Sequence, residues 1–282
     1  MTKTAIRTAR PVTRLVRGQP TSDGAGVKLT RVIGGPALPQ SDPFLLLDEF
    51  GSDDPDAYIA GFPDHPHRGF ETVTYMLEGR MRHRDNKGHE GVLDSGGIQW
   101  MTAGRGIVHS EMPEQSSGRM RGFQLWVNLP ARDKMRAPRY QELAADRIPE
   151  VEPAAGVRAK VIAGRFAGIE GAVSEIAVAP LYVDLRLEAG RAYDADVPLG
   201  HTAFVYVFEG STTLGGQSVR RGTLALLGEG DSVRLEAGAE GAALLLIAGK
   251  PLGEPVARYG PFVMNTRAEI EQAFADYQAG RL

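Results

Sequence analysis

Two pairs of residues in this sequence have the chemistry and the spacing of metal ligands. His65 and His67 form the first pair, and His109 and Glu111 form the second, each with one residue between its members. Successive side chains of a β-strand point to opposite faces, so the members of each pair would share a face. Two such strands side by side would bring three imidazoles and one carboxylate to one point. This donor set suits Fe(II), Mn, Cu, Ni or Zn better than Ca or Mg.

The residues around these pairs support a metal site rather than unrelated histidines. A single His-x-His pair is a weak signal, because partly buried and surface histidines are common. Here Pro66 and the flanking glycines predict tightly turned strand ends, where all-β scaffolds tend to carry functional residues. The second pair repeats the two-residue period. We therefore expect one transition metal per chain.

The composition is that of a globular protein built from many short strands. The chain has 282 residues, enough for two domains, although length alone leaves one large β-barrel open. Its 35 glycines and 18 prolines fit strands joined by tight turns. It has no cysteine, which excludes disulfides and thiolate metal sites and leaves histidine and carboxylate as the available ligands.

The formal net charge of -3 gives no global electrostatic reason to bind nucleic acid directly. The start of the chain is basic, which predicts either a solvated strand edge protected by positive charge or a patch for a protein partner. The basic residues are Lys3, Arg7, Arg10, Arg14, Arg17, Lys28 and Arg31. No apolar run approaches a membrane span and no signal-peptide core is present, so we expect a cytoplasmic protein without membrane contact.

Two further sets of polar residues lie close to predicted strands. The apolar run 44–50 ends in Asp48 and Glu49, and the sequence leaves open whether these carboxylates cap a turn or line a pocket. His83 and His89 lie in a predicted hairpin. We expect both to be solvated hairpin residues, and the alternative for His83 is that it reaches the pocket.

Helical patterns are confined to two short segments. Residues 140–146 have a short helical pattern inside a predicted linker between domains. Thr266 and Glu269 form a capping box that precedes an apolar stripe, which predicts a C-terminal helix at about 267–278. The remaining chain is predicted to be strands and turns.

The second half of the sequence repeats the first. Residues 204–210 match residues 73–79, and each stretch is followed by a short hairpin and a strand that begins after glycine. In this alignment Arg234 and Glu236 take the positions of the second ligand pair, and His201 matches no ligand. We therefore expect no metal set in the second half and a structural role for His201.

Both ligand stretches have the form of cupin motifs. A glycine, His-x-His, a glutamate and a hydrophobic strand ending in glycine occupy residues 61–79, and Gly-x-x-His occupies residues 106–109. Longer strings that cover most of residues 42–141 resemble the pirin family of cupins. These strings are 42–50, 65–75, 99–111 and 122–130. The chain is identified as a member of that family on this resemblance.

The resemblance implies an all-β fold, the bicupin. Two antiparallel β-barrels are expected face to face, with a short linker helix and a C-terminal helix. The implied domains are a metal-binding N-terminal cupin domain at 1–133, a linker at 134–154 and a C-terminal cupin domain at 155–282. The C-terminal cupin is expected to be degenerate and metal-free.

The resemblance also assigns the site. The general cupin pattern would make Glu71 the carboxylate ligand, whereas pirins place that ligand two residues after the last histidine. The implied metal ligands are His65, His67, His109 and Glu111. Glu111 is also the implied catalytic residue, and Glu71 becomes a residue that supports the ligands or lines the pocket. Independently of the resemblance, Gln124 and Trp126 alternate with Phe123 and Leu125 along a predicted strand and would face the cavity or a neighbouring domain, which makes them the other expected pocket residues.

The function implied by the resemblance is a dioxygenase that cleaves flavonols such as quercetin with O2. The implied cofactor is one divalent transition metal, Fe(II) first, with Mn, Cu, Ni or Zn as alternatives. A small aromatic substrate and O2 would take the open positions of the ion, and Glu111 would accept the substrate proton. One alternative is an iron-dependent, redox-responsive regulatory protein that binds a protein partner without turnover. Another is a sugar isomerase, but the sequence lacks a recognisable sugar-phosphate clamp.

Overall fold

The computed structural model describes residues 7–282, which pack as two compact units. The histidine unit comprises Gln19–Arg147 and Leu252–Leu282, and the aliphatic unit comprises residues 7–18 and Ile148–Pro251. This division differs from the predicted domain boundaries at both ends of the chain. The first strand packs in the aliphatic unit, and the last segment packs in the histidine unit.

Eleven strands of the first half of the chain build the two larger sheets of the histidine unit. The strands up to residue 143 are β1 (Val12–Arg17), β2 (Gln19–Asp23), β3 (Val27–Ile33), β4 (Phe44–Ser52), β5 (Phe62–His67), β6 (Phe70–Glu78), β7 (Met81–Asp85), β8 (Glu90–Leu93), β9 (Ile98–Thr102), β10 (Ile107–Pro113), β11 (Met120–Asn128) and β12 (Arg139–Leu143). One sheet has the order β12-β9-β6-β11-β4-β3-β2, and the other has the order β5-β10-β7-β8. Strand β1 belongs to the aliphatic unit.

The aliphatic unit is built on a single nine-stranded sheet. The later elements are β13 (Glu150–Ala154), β14 (Val157–Ala163), β15 (Arg165–Phe166), β16 (Ile169–Glu170), β17 (Leu181–Leu187), β18 (Ala192–Asp196), β19 (Thr202–Leu214), β20 (Gln217–Arg220), β21 (Thr223–Leu227), β22 (Ser232–Gly249), β23 (Ala257–Tyr259), β24 (Phe262–Met264) and α1 (Arg267–Gln278). The sheet order is β1-β21-β19-β22-β17-β14-β13, with β18 paired to β22 and β20 paired to β19. Strands β23 and β24 form a hairpin of the histidine unit.

The described strands form open sheets, which corrects the prediction of closed barrels. In the histidine unit the chain turns at Gly79, whose φ of 93° is a conformation that glycine adopts readily. Strand β6 ends before this glycine, and β7 after it pairs with β10 in the shorter sheet. The hydrogen bonding is therefore divided between two sheets rather than continued around a cylinder.

Successive side chains of the central strands point alternately to the hydrophobic core and to the site. On β11, Phe123 and Leu125 are buried on one face, while Gln124 and Trp126 line a cavity on the other. A buried cluster that includes Phe50 and Met76 packs on the cavity side of the sheet. This arrangement leaves polar side chains of the central strands directed into the interior.

The C-terminal helix is confirmed, with bounds that agree with the predicted residues 267–278. Helix α1 begins after Thr266, whose side chain accepts from the Glu269 main-chain N–H. The Glu269 carboxylate in turn accepts from the Thr266 main-chain N–H. Ile270 and Ala273 are buried against the β23–β24 hairpin. No helix of residues 7–282 is long and apolar enough to cross a membrane.

The predicted linker helix at 140–146 is wrong. Residues Arg139–Leu143 form β12, which pairs with β9 at the edge of the longer sheet, and Ala145–Arg147 is a single 3-10 turn. A segment this short is a marginal helix in isolation, whereas the edge of β9 offers unpaired main-chain groups. Tertiary pairing therefore overrides the local helical pattern.

The basic N-terminal segment does not form one surface patch in the residues that the structure describes. Lys3 lies outside the described residues. Arg7 forms an ion pair with Asp196, and Arg10 is buried and donates to main-chain carbonyls of its own unit. Arg31 is engaged by carboxylates of the histidine unit. The role of the segment in binding a protein partner stays a prediction.

Candidate metal centre

Strands β5 and β10 pair antiparallel and bring the three predicted histidines together. His109 lies directly opposite His65 in this register. One ligand nitrogen from each of His65, His67 and His109 lies within 4.8 Å of the others. The ring centroids of His65 and His109 are 4.4 Å apart, and those of His65 and His67 are 4.7 Å apart. Residues far apart in the sequence therefore converge at one point.

Main-chain carbonyl groups orient two of the three rings. His65 Nδ1 lies 2.8 Å from the Pro63 oxygen, and His67 Nδ1 lies 3.5 Å from the Pro261 oxygen. A carbonyl oxygen can only accept, so Nδ1 of each ring is the donor in these contacts. Nε2 is then the ring nitrogen that faces a metal, the arrangement typical of metal-ligating histidine.

His109 gives the strongest indication that a ligand belongs at this point. Its ring is buried, and neither ring nitrogen has a hydrogen-bond partner in the part of the chain that the structure describes. A buried nitrogen without a partner is costly. Burial, together with the neighbouring imidazoles, lowers the pKa of His67 and of His109 well below the usual value. The neutral rings offer lone pairs, and a divalent transition metal fits them.

Glu111, the predicted fourth ligand, lies outside the three-histidine cluster. The Thr74 hydroxyl donates to Glu111 Oε1 at 2.8 Å, and Gln124 Nε2 donates to Oε2 at 3.4 Å. The pairing of β10 with β5 shifts register between His109 and Glu111, which separates Glu111 from the regular ladder. Glu111 is buried beside the cluster, and its role as a ligand stays a prediction.

A cavity of about 610 Å³ adjoins the histidine cluster and is lined by His65, His67 and Glu111. Much of its wall is apolar. The larger apolar side chains are Leu29, Leu46, Phe50, Phe62, Met81 and Trp126. Pockets of this size and character bind small organic ligands.

Of the three predicted pocket residues, Gln124 and Trp126 line the cavity and Glu71 does not. Glu71 and Thr74 lie on β6 at an odd separation, so Glu71 faces away from the cavity that Thr74 lines. The Thr102 hydroxyl donates to Glu71 Oε1 at 2.6 Å, and burial raises the pKa of Glu71. The alternation of the strand thus removes Glu71 from the pocket.

The sequence reasoning missed the contribution of the β23–β24 hairpin to the site. Arg258 and Pro261 line the cavity, although they follow the whole aliphatic unit in the sequence. The buried Lys134 ammonium holds the hairpin in place by donating to the oxygens of Gly69 at 2.7 Å and Val263 at 3.0 Å. No local motif marks these residues, since only the packing of the last segment brings them to the cavity.

The two carboxylates that the sequence left undecided, Asp48 and Glu49, lie within β4 and have different environments. Asp48 lines the cavity and accepts two bonds from Arg31, at 3.0 and 2.7 Å. Arg31 also donates to Asp23 at 2.7 Å. Burial raises the pKa of Asp48, and the Arg31 charge opposes that rise. Glu49 lies on the alternate face of β4 and pairs with Arg121.

His83 and His89 lie outside the cluster, and only His89 is a solvated hairpin residue. His89 is exposed and bonds Asp85 at 2.9 Å. His83 is buried and its Nε2 contacts the carboxylate of Glu142, to which Gln99 also donates at 2.9 Å. Glu142 lies on β12. Because the sequence predicted a helix in place of this strand, it also predicted that His83 would be solvated.

The chain matches two family profiles and close full-length relatives. The family described as Pirin matches residues 26–127, and the Pirin C-terminal cupin domain matches residues 182–282. A "Pirin-like protein" of Caulobacter vibrioides is 56% identical over 96% of this chain and 99% of its own length. A protein of Pseudomonas aeruginosa named "Putative quercetin 2,3-dioxygenase" is 54% identical over 97% of this chain and 98% of its own length.

A solved structure has the same fold. The crystal structure of quercetin 2,3-dioxygenase from Acinetobacter baumannii superimposes with a TM-score of 0.91 at 34% identity, covering 97% of this chain and 98% of that chain. The architecture is thus a mostly β bicupin. With both family profiles and the relatives in agreement, the chain belongs to the pirin family.

Proposed function

We propose that this protein is a metal-dependent dioxygenase that cleaves flavonols such as quercetin with O2. The observation that carries the proposal is the cavity, which joins a mainly apolar wall to the three-histidine cluster. The names of a relative from Pseudomonas aeruginosa and of the Acinetobacter baumannii structure support the same reaction class. The proposal extends that activity to this chain.

The cavity walls would bind and orient the substrate. Phe50, Phe62 and Trp126 present aromatic surface to the interior, which suits the flat rings of a flavonol. Burying those rings would also expel water from the space beside the histidines. The polar side chains at that end, Thr74 and Gln124, would face the oxygen substituents of the substrate.

The residues that would hold the metal are His65, His67 and His109, with Glu111 as the proposed fourth ligand. Fe(II) is the proposed ion, with Mn, Cu, Ni or Zn as alternatives. Fe(II) would supply Lewis acidity toward a hydroxyl group and one-electron chemistry with O2, whereas Zn would supply the Lewis acidity alone. The carbonyl groups of Pro63 and Pro261 would keep two of the rings in their donor orientation.

Glu111 is the proposed acceptor of the proton from the flavonol 3-hydroxyl group. The Thr74 hydroxyl holds the carboxylate by its bond to Oε1, which leaves Oε2 with only the long contact to Gln124 among residues 7–282. Oε2 is therefore the atom that would take the proton. In the complete reaction one O2 is consumed, the heterocycle opens, and one carbon leaves as carbon monoxide, so no further reductant is needed.

The alternative function is an iron-dependent, redox-responsive regulatory protein without turnover. Such a protein needs only solvent or electron access to its metal, and it does not need a ligand-sized cavity. The apolar wall beside the histidines therefore favours the enzyme over the regulator.

Aerobic turnover tests the proposal. Metal-loaded protein is mixed with quercetin, and flavonol loss and headspace carbon monoxide are measured together. We expect equal amounts of quercetin consumed and carbon monoxide released, with loss of both signals in His67→Ala. His89→Ala, which removes an exposed histidine outside the cluster, is the matched control and should keep full activity. Fully metal-loaded protein that releases no carbon monoxide would refute the proposed reaction.

A further inference from the structure

Arg258 occupies a distinctive place in the cavity wall. It lies on β23 and lines the cavity. Its guanidinium carbon lies 4.8 Å from the centroid of the Trp126 ring, and that ring lies 5.2 Å from the ring of His67. The Trp126 ring therefore lies between the Arg258 guanidinium and the histidine cluster.

The hydrogen-bonding capacity of Arg258 is largely unused within the described chain. A guanidinium group has five N–H donors. Nη1 of Arg258 donates to the Leu45 oxygen at 3.0 Å, and no other hydrogen bond or ion pair joins this guanidinium to residues 7–282. The nearby carboxylates of Asp23 and Asp48 are both bonded to Arg31 instead. Arg258 is thus a cation held in the wall without a carboxylate of its own.

Arg258 is an exposed residue that lines the cavity, so its remaining N–H donors are accessible to a ligand. Partial desolvation and the charge of Arg31 lower the pKa of Arg258, and the charges of Asp48 and Asp23 oppose that lowering. A guanidinium beside an apolar wall gains from a ligand that accepts its hydrogen bonds. The contact with Trp126 and the hydrogen bond to Leu45 both restrain the guanidinium, so less freedom remains to be lost when a ligand binds. An oxygen anion on the edge of a flat ring is the partner that fits this geometry.

We propose that Arg258 determines specificity by selecting planar aromatic ligands that carry an anionic oxygen, either a carboxylate or an ionised phenol. The anionic group would accept from the free guanidinium donors while the ring packs along the apolar wall. This inference deepens the proposed function and rests on it only in that the same cavity is the substrate site. A neutral aromatic ligand would gain the packing but not the charge-assisted bond.

Binding calorimetry on the metal-loaded protein tests the inference without requiring turnover. The carboxylate probe is 2-naphthoate, with 2-naphthamide as its neutral match. The phenol probe is 4-nitrophenol at a pH where it is ionised, with 4-nitroanisole as its neutral match. The variants are Arg258→Met, which keeps an apolar stem on Trp126, and Arg258→Lys, which keeps the charge. Arg80→Met removes an exposed arginine paired with Asp94 and is the control.

We expect Arg258→Met to weaken binding of at least one anionic probe about tenfold, as for loss of one charge-assisted bond, with its neutral match changed less than twofold. Arg258→Lys should restore part of the loss, and Arg80→Met should bind as wild type. The probe that responds identifies carboxylate or phenolate as the preferred group. Equal weakening of charged and neutral probes, or no binding of either anion to wild type, would overturn the inference. A thermal melt of each variant separates misfolding from lost recognition.

Failure of the proposed function would look different. If charged probes are discriminated through Arg258 while quercetin gives no carbon monoxide, the specificity assignment stands and the dioxygenase reaction is refuted. If quercetin is cleaved and Arg258→Met leaves every probe unchanged, the reaction stands and the specificity assignment is refuted.

Discussion

The two units follow the same strand order but fill their interiors differently. The histidine unit has the order β12-β9-β6-β11-β4-β3-β2, and the aliphatic unit has the order β1-β21-β19-β22-β17-β14-β13. In both, the strand of the repeated sequence, β6 or β19, lies third from one edge. The internal duplication predicted from the sequence is thus visible in the topology, and the interior side chains account for the functional difference.

Polar residues on the central strands leave space in one unit, and aliphatic residues fill it in the other. Thr74 and Gln124 line the cavity from β6 and β11. The corresponding strands of the aliphatic unit direct Val205, Val207 and Leu246 into a single buried cluster. These aliphatic side chains pack against one another in the core of that unit. The two units thus share a strand order, and the cavity lies in the unit whose central strands have polar interior side chains.

The paired strands at the site show the same contrast. His65 lies opposite His109 in the histidine unit. In the aliphatic unit β18 and β22 pair Tyr193 with Leu235 on the interior side, both packed in the aliphatic cluster. Arg234, which the sequence alignment placed at the position of His109, instead points outward.

Arg234 and Glu236 form a surface ion pair rather than part of an interior. Arg234 Nη1 bonds Asp194 at 2.9 Å, and its Nε bonds Glu236 at 2.8 Å. A one-residue shift in register turns every side chain of a strand to the other face, which explains the misplacement. His201 has the structural role that was expected, since both ring nitrogens contact main-chain oxygens, of Leu199 and Ala179.

The largest expected effect separates Glu111 from Glu71 within the histidine unit. Glu111→Gln keeps the size of the side chain but removes its charge and its capacity to accept a proton. Flavonol cleavage should fall by about 10² or more, as for loss of a general base, with a moderate loss of metal affinity. Initial rates of carbon monoxide release give the measurement.

Glu71→Gln is the matched control for this change, because Glu71 lies on the opposite face of β6 from the cavity. It should change rate and metal affinity far less. If Glu71→Gln loses the metal while Glu111→Gln keeps full activity, the site follows the general cupin pattern and the assignment of Glu111 is refuted.

A pair of leucines tests the difference in packing. Leu246 is fully buried in the aliphatic unit, whereas Leu46 lines the cavity of the histidine unit. Leu246→Ala should cost about 2 to 5 kcal/mol of unfolding free energy, because it leaves a void in a filled core. Leu46→Ala should cost less, since its side chain already borders open space. Denaturant unfolding of both variants measures the costs, and equal values would contradict the contrast.

A smaller effect is expected from the cap of helix α1, which belongs to the histidine unit. Thr266→Ala removes the capping side chain and should destabilise the helix by about 1 kcal/mol. Arg267→Ala in the same helix is the control, because its exposed pair with Glu271 contributes little. Amide hydrogen exchange across α1 measures both. Exchange that Thr266→Ala leaves unchanged would mean that packing alone holds the helix.

Much of the site was predictable because its signals are local. The two-residue spacing of His65 and His67 requires only a strand to place both rings on one face, and His109 follows from a second strand. The capping box at Thr266 and Glu269 similarly contains the information that starts helix α1. Alternation along β11 was sufficient to place Gln124 in the cavity.

The remainder depends on pairings that no local pattern encodes. Arg258 and Pro261 reach the cavity because the last segment packs on strands distant in the sequence. Pairing with the edge of β9 makes residues 139–143 a strand, although residues 140–146 have a helical pattern. The outward position of Arg234 depends on the register between β18 and β22, which differs by one residue from the alignment of the two sequence halves. In each case tertiary contacts decide between local alternatives of similar energy.

Metal stoichiometry tests the contrast between the two units most directly. Elemental analysis of protein reconstituted with Fe(II) under anaerobic conditions should give one equivalent per chain. His67→Ala and His109→Ala should each lose most of it, while Asp194→Ala, at the corresponding strand pair of the aliphatic unit, should retain it. Two equivalents in the wild type, or full retention of iron by His67→Ala, would contradict the assignment of a single metal site to the histidine unit.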